Sequence, residues 1–235
     1  MMHYFLFGGA CSRDFGMYIS GDSTYDAPER DTESIEIPGR NGALEIDNGR
    51  FHNISVSYPA FFPRGFSAGA AAARNWLAGA RGYQRLEDTY HPDEYRLARF
   101  VGPLQFDVRA LGYSGECTLT FDAKPQRFLR SGEAETVLSA TGSVYNPTGF
   151  DARPLLRVYG TAPGVLTVGN AQVQVNAISG YIDIDCDLQD AFKGTANCNA
   201  SIYAPVFPRF TPGINNISWS GGLTGVTIKP RWWTI

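Results

Sequence analysis

The sequence contains few of the residues on which enzymatic and metal sites depend. Of its 235 residues, three are histidines (His3, His52 and His91) and three are lysines. No two histidines stand at metal-ligand spacing, and neither a Gly-Lys-Ser/Thr string nor a Gly-x-Ser-x-Gly motif occurs. These absences argue against a zinc hydrolase, a P-loop nucleotide enzyme and an α/β-hydrolase. We therefore expect a protein without enzymatic activity, with no metal and no cofactor.

The chain also lacks the segments that direct proteins into or across membranes. The N-terminus has neither the basic nor the apolar region of a secretory signal, and no apolar run approaches the roughly 18 residues of a membrane span. We expect a soluble protein, made in a cytoplasm and not inserted into a membrane. In that reducing compartment the cysteines are predicted to be small buried apolar groups, with a Cys186–Cys198 disulfide as the alternative; they are Cys11, Cys117, Cys186 and Cys198.

Charge and composition narrow the fold class. The formal net charge of -3 argues against phosphate neutralisation as the main task. With 26 Gly, 14 Pro and 13% aromatic residues, the composition favours short strands joined by tight turns. Arginine strongly outnumbers lysine, which favours carboxylate pairing at interfaces. We predict a mostly β protein.

The stretch IEIPGRNGALEI places a Pro-Gly and an Asn-Gly turn signal almost back to back. Ile35 and Ile37 alternate with polar residues before the turns, as Leu44 and Ile46 do after them. A further alternating run begins at Ile54, so the pattern predicts a meander of strands. Two successive turns would project Arg40 from the end of a hairpin.

One segment of the first half favours a helix. In SAGAAAARNWLAGARG, Ser67 is suited to cap the helix, Trp76 and Leu77 lie on its apolar face, and Gly82 is suited to end it. After this helix, alternation from Leu104 to Phe121 around a glycine-rich turn predicts a long hairpin, with an apolar face that covers the Trp76 side of the helix.

The alternating apolar pattern gives way to a polar connector, KPQRFLRSGEAET. This change predicts a domain boundary near residues 130–140. We place a first domain over 1–133 and a second over 134–235. Short strands punctuated by turns follow the connector, a spacing typical of a β-sandwich.

The stretch YIDIDCDLQDAFKG places aspartates at the first three ligand positions of an EF-hand loop. Leu188 stands where that loop needs glycine, and Gly194 where it needs a bidentate glutamate. Because Ile182, Ile184 and Cys186 occupy the alternate places, we predict a strand with the aspartates on its solvated face. A glycan- or ion-binding surface is the alternative.

Trp232 and Trp233, near the C-terminus, have a large apolar area that we expect to be buried. The last strand, about 222–235, is expected either to return to the first domain or a neighbouring subunit, or to end the sandwich.

Several runs together resemble the distal tail protein (Dit) family of long-tailed bacteriophages. They are IEIPGRNGAL, RNWLAGARGYQRLEDTYHPDEYRLARFVG, GECTLTFDAKPQRFL, YNPTGFDARPLLRVYG, FPRFTPGINNISWSGG and VTIKPRWW. The resemblance spans most of the chain and depends on the order and spacing of these runs.

The resemblance implies an N-terminal β domain that closes into a homo-hexameric ring, followed by a galectin-like β-sandwich. It further implies a baseplate hub at the virion tail tip, made in the host bacterial cytoplasm. One ring face would meet the major tail tube protein and the other the tail-associated protein, with receptor-binding proteins or fibres at the periphery. DNA would pass through the lumen without specific binding.

With this family in view, we predict four interface residues: Arg40 and Asn41 at the hairpin tip, and Trp232 and Trp233 at the C-terminus. Arg40 would pair with a carboxylate of the neighbouring subunit or face the lumen. The alternative function is a carbohydrate-binding module for host cell-surface glycans, in which aromatic rings stack on sugars; the candidates are Tyr159, Tyr181, Tyr203 and Trp219. No histidine follows His91, which argues against a galectin-type sugar site.

Overall fold

The computed structural model describes residues 2–21 and 26–235. The described chain is mostly β with one α-helix, which confirms the predicted fold class. It divides into two compact units, Met1–Arg127 with Ile235 and Phe128–Thr234. This division falls a few residues before the boundary placed at 133.

The first unit contains a large antiparallel sheet, a two-stranded hairpin and the α-helix. Its elements are β1 Phe5–Phe7, β2 Ala10–Cys11, β3 Tyr18–Ile19, β4 Arg30–Glu36, β5 Ala43–Phe51, β6 Ile54–Phe62, α1 Phe66–Gly79, β7 Gln84–Asp88, β8 Glu94–Phe100, β9 Phe106–Arg109 and β10 Ser114–Leu129, the last of which continues into the second unit. The large sheet has the strand order β2-β1-β7-β8-β10-β6-β3, and β9 also pairs with β10.

One face of this sheet forms the core of the first unit. Along β10, buried and more exposed residues alternate, as the period of two in a half-buried strand requires. The largest buried side chains of this core are Phe5, Phe7, Met17, Ile19, Phe62, Leu77, Leu119 and Phe121.

Helix α1 lies close to its predicted position, but its start and its packing differ from the prediction. The N-cap is Gly65 in a left-handed conformation (φ 65°), and no side chain caps the helix, so the capping role predicted for Ser67 is wrong. Trp76 stacks on Phe15 at 4.5 Å and on Phe5 at 5.5 Å between ring centroids. The rings that stack on Trp76 thus come from the N-terminal segment and not, as predicted, from the β9–β10 hairpin. The helix contacts β9 through the rings of Phe66 and Phe106.

The predicted meander is correct in its strands and wrong in its pairing. Strands β4 and β5 pair with each other in a separate two-stranded sheet. Strand β6 leaves that hairpin and pairs along its length with β10, from Ile54–Ala123 to Phe62–Gly115. Periodicity identifies a strand but does not identify its neighbour, because pairing depends on distant segments.

The second unit is built from short antiparallel strands around two long ones. Its elements are β11 Thr136–Leu138, β12 Gly142–Asn146, β13 Leu155–Val168, β14 Ala171–Val175, β15 Gly180–Asp185, β16 Asp190–Lys193, β17 Ala196–Asn197, β18 Ile202–Tyr203, β19 Gly213–Lys229 and β20 Trp233–Thr234. The main order is β11-β19-β13-β15-β16-β17, with β12 on β19 and β14 joining β13 to β18.

The alternation of apolar residues in the second half predicts its core correctly. Ile182, Ile184 and Cys186 are buried, as are Val173 and Val175 of β14. Strand β15 ends at Asp185, and Leu188 lies beyond it with its side chain exposed. The chain therefore turns earlier than the alternation to Leu188 predicts.

Candidate interaction surface

The hairpin formed by β4 and β5 has two chemically different faces. Its register pairs Ile35 with Leu44 and Glu33 with Ile46, so that Ile35, Leu44 and Ile46 lie on one face. The opposite face carries polar side chains, which are Thr32, Ser34, Glu36, Glu45 and Asp47. The hairpin is thus amphipathic, a pattern typical of antiparallel strands with one face packed against other residues.

Within residues 2–21 and 26–235, that apolar face is left partly exposed. The exposed fractions are 43% for Ile35, 38% for Ile37, 46% for Leu44 and 40% for Ile46. Fully burying a Leu or Ile side chain is worth about 1.5–3 kcal/mol, so covering the exposed part of each is worth roughly 1 kcal/mol. A contiguous strip of four aliphatic side chains is typical of a surface that binds another protein.

The tip of the hairpin is a tight turn, as the sequence predicts. The N–H of Arg40 donates to the carbonyl of Ile37 at 3.1 Å, and Gly39 has a φ of 82°. Pro38 and Gly39 therefore take the two central positions of a type II turn, where glycine supplies the positive φ. Arg40 and Asn41 are both exposed beyond this turn. The structure thus projects both predicted interface residues from the hairpin.

Ion pairs fix the base of the hairpin. Arg30 donates to Asp47 at 2.7 Å, and Arg50 donates to Asp31 at 2.5 Å. Hydrogen bonds from Asn48 and Arg50 hold the pKa of Asp31 below its usual range, and the hydrogen bond from Arg30 does the same for Asp47. Both carboxylates are therefore ionised at neutral pH and join the two strands near their open end.

The C-terminal tryptophans are held inside the second unit. Trp232 is buried and contacts Phe210, with ring centroids 5.6 Å apart. Trp233 stacks on Phe150 at 4.4 Å, and its indole N–H donates to the carbonyl of Asp151 at 2.9 Å. These tryptophans belong to the second unit, whereas Arg40 and Asn41 belong to the first. Their role at an interface stays a prediction.

The solvated face predicted for the aspartates of β15 is wrong for two of them. Asp183 and Asp185 are both buried. Arg157 donates to both oxygens of Asp183 at 2.7 and 3.0 Å, and it stands directly opposite Asp183 on β13. Arg231 likewise donates to both carboxylate oxygens of Asp185. Among the described residues, no group of three or more His, Cys, Asp or Glu side chains is placed to hold a metal ion.

A second cluster of polar side chains surrounds Asp88 in the first unit. Its carboxylate accepts the Tyr58 hydroxyl at 2.7 Å and the backbone N–H of Tyr90 and of His91 at 2.9 and 2.8 Å. Burial, reinforced by Asp88, raises the pKa of Tyr58, so its hydroxyl stays protonated as the donor. These bonds shape the turn between β7 and β8, where the sequence places His91.

Of the aromatic residues proposed for sugar stacking, Tyr159 and Tyr181 stand opposite each other on β13 and β15, and both are half-buried. Tyr181 lies beneath Arg157 and Lys193, with the cations 4.7 and 5.1 Å from its ring centroid. Trp219 packs against the core, and Tyr159 lies near Thr227. Of the four candidates, Tyr203 is the exposed one.

A large groove lies in the first unit. It has a volume of about 800 Å³ and lies along β6, β9 and β10. Its rim carries the carboxylates of Asp107 and Glu116, and Arg109 approaches them to 2.6 and 3.8 Å. No helix within residues 2–21 and 26–235 combines the length and the apolar character of a membrane span.

The fold is similar to the folds of solved phage proteins. The crystal structure of the Dit protein (gp 19.1) of phage SPP1, described as a paradigm of the hub adsorption apparatus in phages infecting Gram-positive bacteria, matches with a TM-score of 0.74, 11% identity and 100% coverage of both chains. Two structures of the phage p2 baseplate in its activated conformation, one with Sr and one with Ca, each match with a TM-score of 0.53, 10% identity, and coverage of 99% of this chain and 100% of theirs.

The chain resembles these phage proteins in fold and not in sequence. Neither a protein-family model nor a curated protein matches the sequence. The fold that the Dit resemblance implies is therefore confirmed along the whole chain. At 11% identity the two chains share the arrangement of their strands but few of their side chains. Such an arrangement tolerates the replacement of most side chains, provided that the apolar pattern is kept.

Proposed function

We propose that this protein is the distal tail hub of a long-tailed bacteriophage. Six copies form a ring at the virion tail tip, which joins the major tail tube protein to the tail-associated protein and the receptor-binding apparatus. The chain acts through assembly: a surface of each copy binds a different surface of the next copy, and the copies close into a ring. We propose no enzymatic step for it.

The observation that carries this proposal is the likeness to SPP1 Dit over the full length of both chains, at a TM-score of 0.74. A match of one domain alone would support a shared building block. A match that includes both units and their order in the chain supports a shared architecture, although fold by itself does not define function.

The exposed hairpin gives the proposal a physical basis. A monomer leaves Ile35, Ile37, Leu44 and Ile46 in water. Association that covers this face gains roughly 1 kcal/mol for each side chain, before the cost of immobilising the partners. Self-association thus explains why an alternating, core-like pattern occurs on a hairpin whose aliphatic side chains are partly exposed.

The charge of the chain suits a hub through which DNA travels. Proteins that hold DNA neutralise several phosphates with Lys and Arg, and their binding falls steeply with salt. This chain has 23 acidic and 20 basic residues, a net charge of -3. A ring built from it would let the genome pass through the lumen without strong non-specific binding.

Electron microscopy of the purified protein tests the proposal directly. We expect six-fold ring views, together with a light-scattering mass of six chains. Co-expression with the tail tube and tail-associated proteins of the same phage should yield complexes with the ring. A chain that stays monomeric at high concentration, alone and with both partners, would exclude the hub.

A further inference from the structure

Four stretches of the second unit contain no Asp, Glu, Lys, Arg or His. They are 136–150, 158–182, 194–208 and 210–228. Charged residues make up 18% of the chain, so their absence over such lengths is a clear departure from its average composition. The stretches include β12, β14 and β18, and all of β19 except Lys229. These strands therefore bring uncharged side chains together.

The register joins these strands and the second half of β13 into one surface, in the order β12-β19-β13-β14-β18. Its inner face is apolar and buried, with Val144, Leu166, Val173 and Ile217 in the core. The residues between them point to the opposite face, because successive side chains of a strand alternate. That face is defined here as the neutral face and consists of Ser143, Tyr145, Val165, Thr167, Gln172, Gln174, Tyr203, Ile214, Asn216, Ser218 and Ser220.

The neutral face is uncharged throughout and carries an exposed tyrosine at each end. A soluble protein keeps about 25–35% of its surface positions charged, whereas no position on this face is charged. Tyr145 stands opposite Ile214 and is 65% exposed, and Tyr203 stands opposite Gln174 and is 57% exposed. The spacing of residues and of strands places the two tyrosines roughly 25 Å apart. The face is therefore long enough for an extended ligand.

The chemistry of the neutral face suits a neutral sugar chain. Its hydroxyl and amide side chains both donate and accept hydrogen bonds, as the hydroxyl groups of a sugar do. The apolar C–H side of a sugar ring packs on the flat face of an aromatic ring, and the two tyrosines offer such rings. A charged ligand would find no opposite charge on this face.

A protein partner fits the composition less well. The buried centre of a protein interface is about 65% apolar and is depleted in serine. The neutral face contains three serines, Ser143, Ser218 and Ser220, and its aliphatic residues are Val165 and Ile214. Its polar side chains would lose water in a protein contact without an equal gain in buried apolar area.

We propose that the neutral face of the second unit binds a neutral polysaccharide, with Tyr145 and Tyr203 stacking on its sugar rings. The amides and hydroxyls between them donate to and accept from the sugar hydroxyls. The face contains no histidine and is therefore not a galectin-type site. Each single chain carries the whole face, so this binding does not depend on the proposed ring.

An oligosaccharide array probed with the full-length protein tests the proposal. The probes are neutral hexose and N-acetylhexosamine oligosaccharides of about four to six sugars, their monosaccharides, and uronic-acid oligosaccharides as charged counterparts. We expect binding to at least one neutral oligosaccharide and weaker binding to its monosaccharide. The Kd, measured by calorimetry, should change less than about twofold between 0.1 and 1 M salt, because no charge pair contributes to binding.

Variants of the two tyrosines assign the binding to the neutral face. The double variant Tyr145→Ala with Tyr203→Ala should raise the Kd at least about tenfold, because both stacking rings are lost. The double variant with phenylalanine at both positions keeps the rings and should stay within about threefold of the wild type. Tyr113→Ala is the matched control, since Tyr113 is 62% exposed but lies in the first unit. All variants should melt at the wild-type temperature, because the replaced side chains are exposed.

The outcomes separate this site from the ring and from a protein contact. An array without a bound neutral oligosaccharide would overturn the proposal, as would binding that the double alanine variant leaves unchanged. If the double alanine variant instead loses ring assembly or co-purification with the tail-associated protein, and no sugar binds, the neutral face is a protein contact and the proposal fails. A monomeric chain that binds a neutral oligosaccharide through both tyrosines would overturn the ring and leave this site in place.

Discussion

Arg231 donates two hydrogen bonds of 2.7 Å, one to each carboxylate oxygen of Asp185. The same carboxylate accepts the N–H groups of Asp187 and Leu188 at 3.0 and 3.1 Å. Arg231 itself has a φ of 59°, a left-handed conformation that few non-glycine residues adopt. The ion pair therefore holds a strained backbone in place, just before the two tryptophans.

Removing this carboxylate should destabilise the second unit. In Asp185→Ala, Arg231 keeps its half-buried position without a partner, and the turn at Asp187 loses its acceptor. Breaking a buried pair costs about 3–5 kcal/mol, and the partial exposure of Arg231 reduces this to roughly 2–4 kcal/mol in the free energy of unfolding. Urea denaturation followed by tryptophan fluorescence measures it. The control is Asp187→Ala, whose exposed side chain lies 3.4 Å from Arg153 and should cost less than about 1 kcal/mol.

The same pair predicts a dependence of stability on pH. Burial opposes ionisation of Asp185, but hydrogen bonds from Arg231 and from the backbone outweigh it, so its pKa in the folded state lies below the ordinary 3.8. A depressed pKa contributes stability that is present above the unfolded-state pKa and is lost as pH falls through the folded-state pKa. The stability difference between wild type and Asp185→Asn should thus be constant from pH 7 to about pH 5 and shrink below pH 4. A difference that grows towards acid pH would contradict this assignment.

Asp183 and Asp185 also show where reasoning from the sequence ends. Alternation places Ile182, Ile184 and Cys186 in the core, because side-chain direction in a strand depends on local geometry alone. The opposite face is covered by arginines that lie 26 and 46 residues away in the chain. No local pattern contains that information, so the aspartates are mistaken for solvated residues.

In the β4–β5 hairpin, the local structure is predicted correctly but the partner of its apolar face is not. Its turn chemistry and alternation are local, and both are predicted correctly at Pro38, Gly39, Ile35 and Leu44. Alternation also implies a covered face, and the structure of one chain leaves that face open. In the proposed ring a neighbouring molecule covers this face, and a single sequence does not identify that neighbour.

A side chain at Gly132 should disrupt the anchoring of the C-terminal segment. A Cβ at this position would lie 2.3 Å from the backbone nitrogen of Trp232, which is closer than non-bonded heavy atoms approach each other. The carbonyl of Gly132 also accepts the N–H of Arg231 at 2.8 Å, so the two segments cannot simply separate. We expect Gly132→Ala to cost about 2 kcal/mol, as overpacked sites do. Gly149→Ala is the matched control, because its Cβ would meet nothing within 4 Å. Similar unfolding midpoints for the two variants would refute the proposed crowding.

The cysteines should differ in reactivity. All four are free, two of them (Cys117 and Cys186) buried, so the alternative of a Cys186–Cys198 disulfide is not supported. Burial raises the pKa of Cys117 from 9.0 to about 11 and raises that of Cys186 as well. At pH 8 the thiolate fraction of Cys117 is then about a hundredfold lower than that of an unperturbed thiol. Alkylation with iodoacetamide, followed by mass spectrometry, should label Cys117 and Cys186 rapidly only after unfolding. Rapid labelling of either in the native protein would show that its burial is wrong.

Arg40 should contribute to assembly without contributing to the fold. It stands on the hairpin tip, exposed and without an ion-pair partner in the described chain, and only its backbone N–H is engaged, by Ile37. Replacing it with glutamate therefore leaves the turn intact and puts a negative charge at the tip of the hairpin. If Arg40 meets a carboxylate of the neighbouring subunit, reversal converts attraction into repulsion, and we expect the concentration at half-assembly to rise about tenfold.

Light scattering across a concentration series measures this effect, and Arg209→Glu in the second unit is the control for charge reversal at an exposed site. The melting temperature of the Arg40→Glu chain at a concentration below assembly should equal that of the wild type, because the folded chain loses no side-chain contact. Arg40→Gln should fall between the two, since the amide removes the charge without reversing it. Hexamers of unchanged mass and midpoint in Arg40→Glu would show that the tip faces solvent or the lumen, and would leave the strip of four aliphatic side chains as the main contribution of the hairpin.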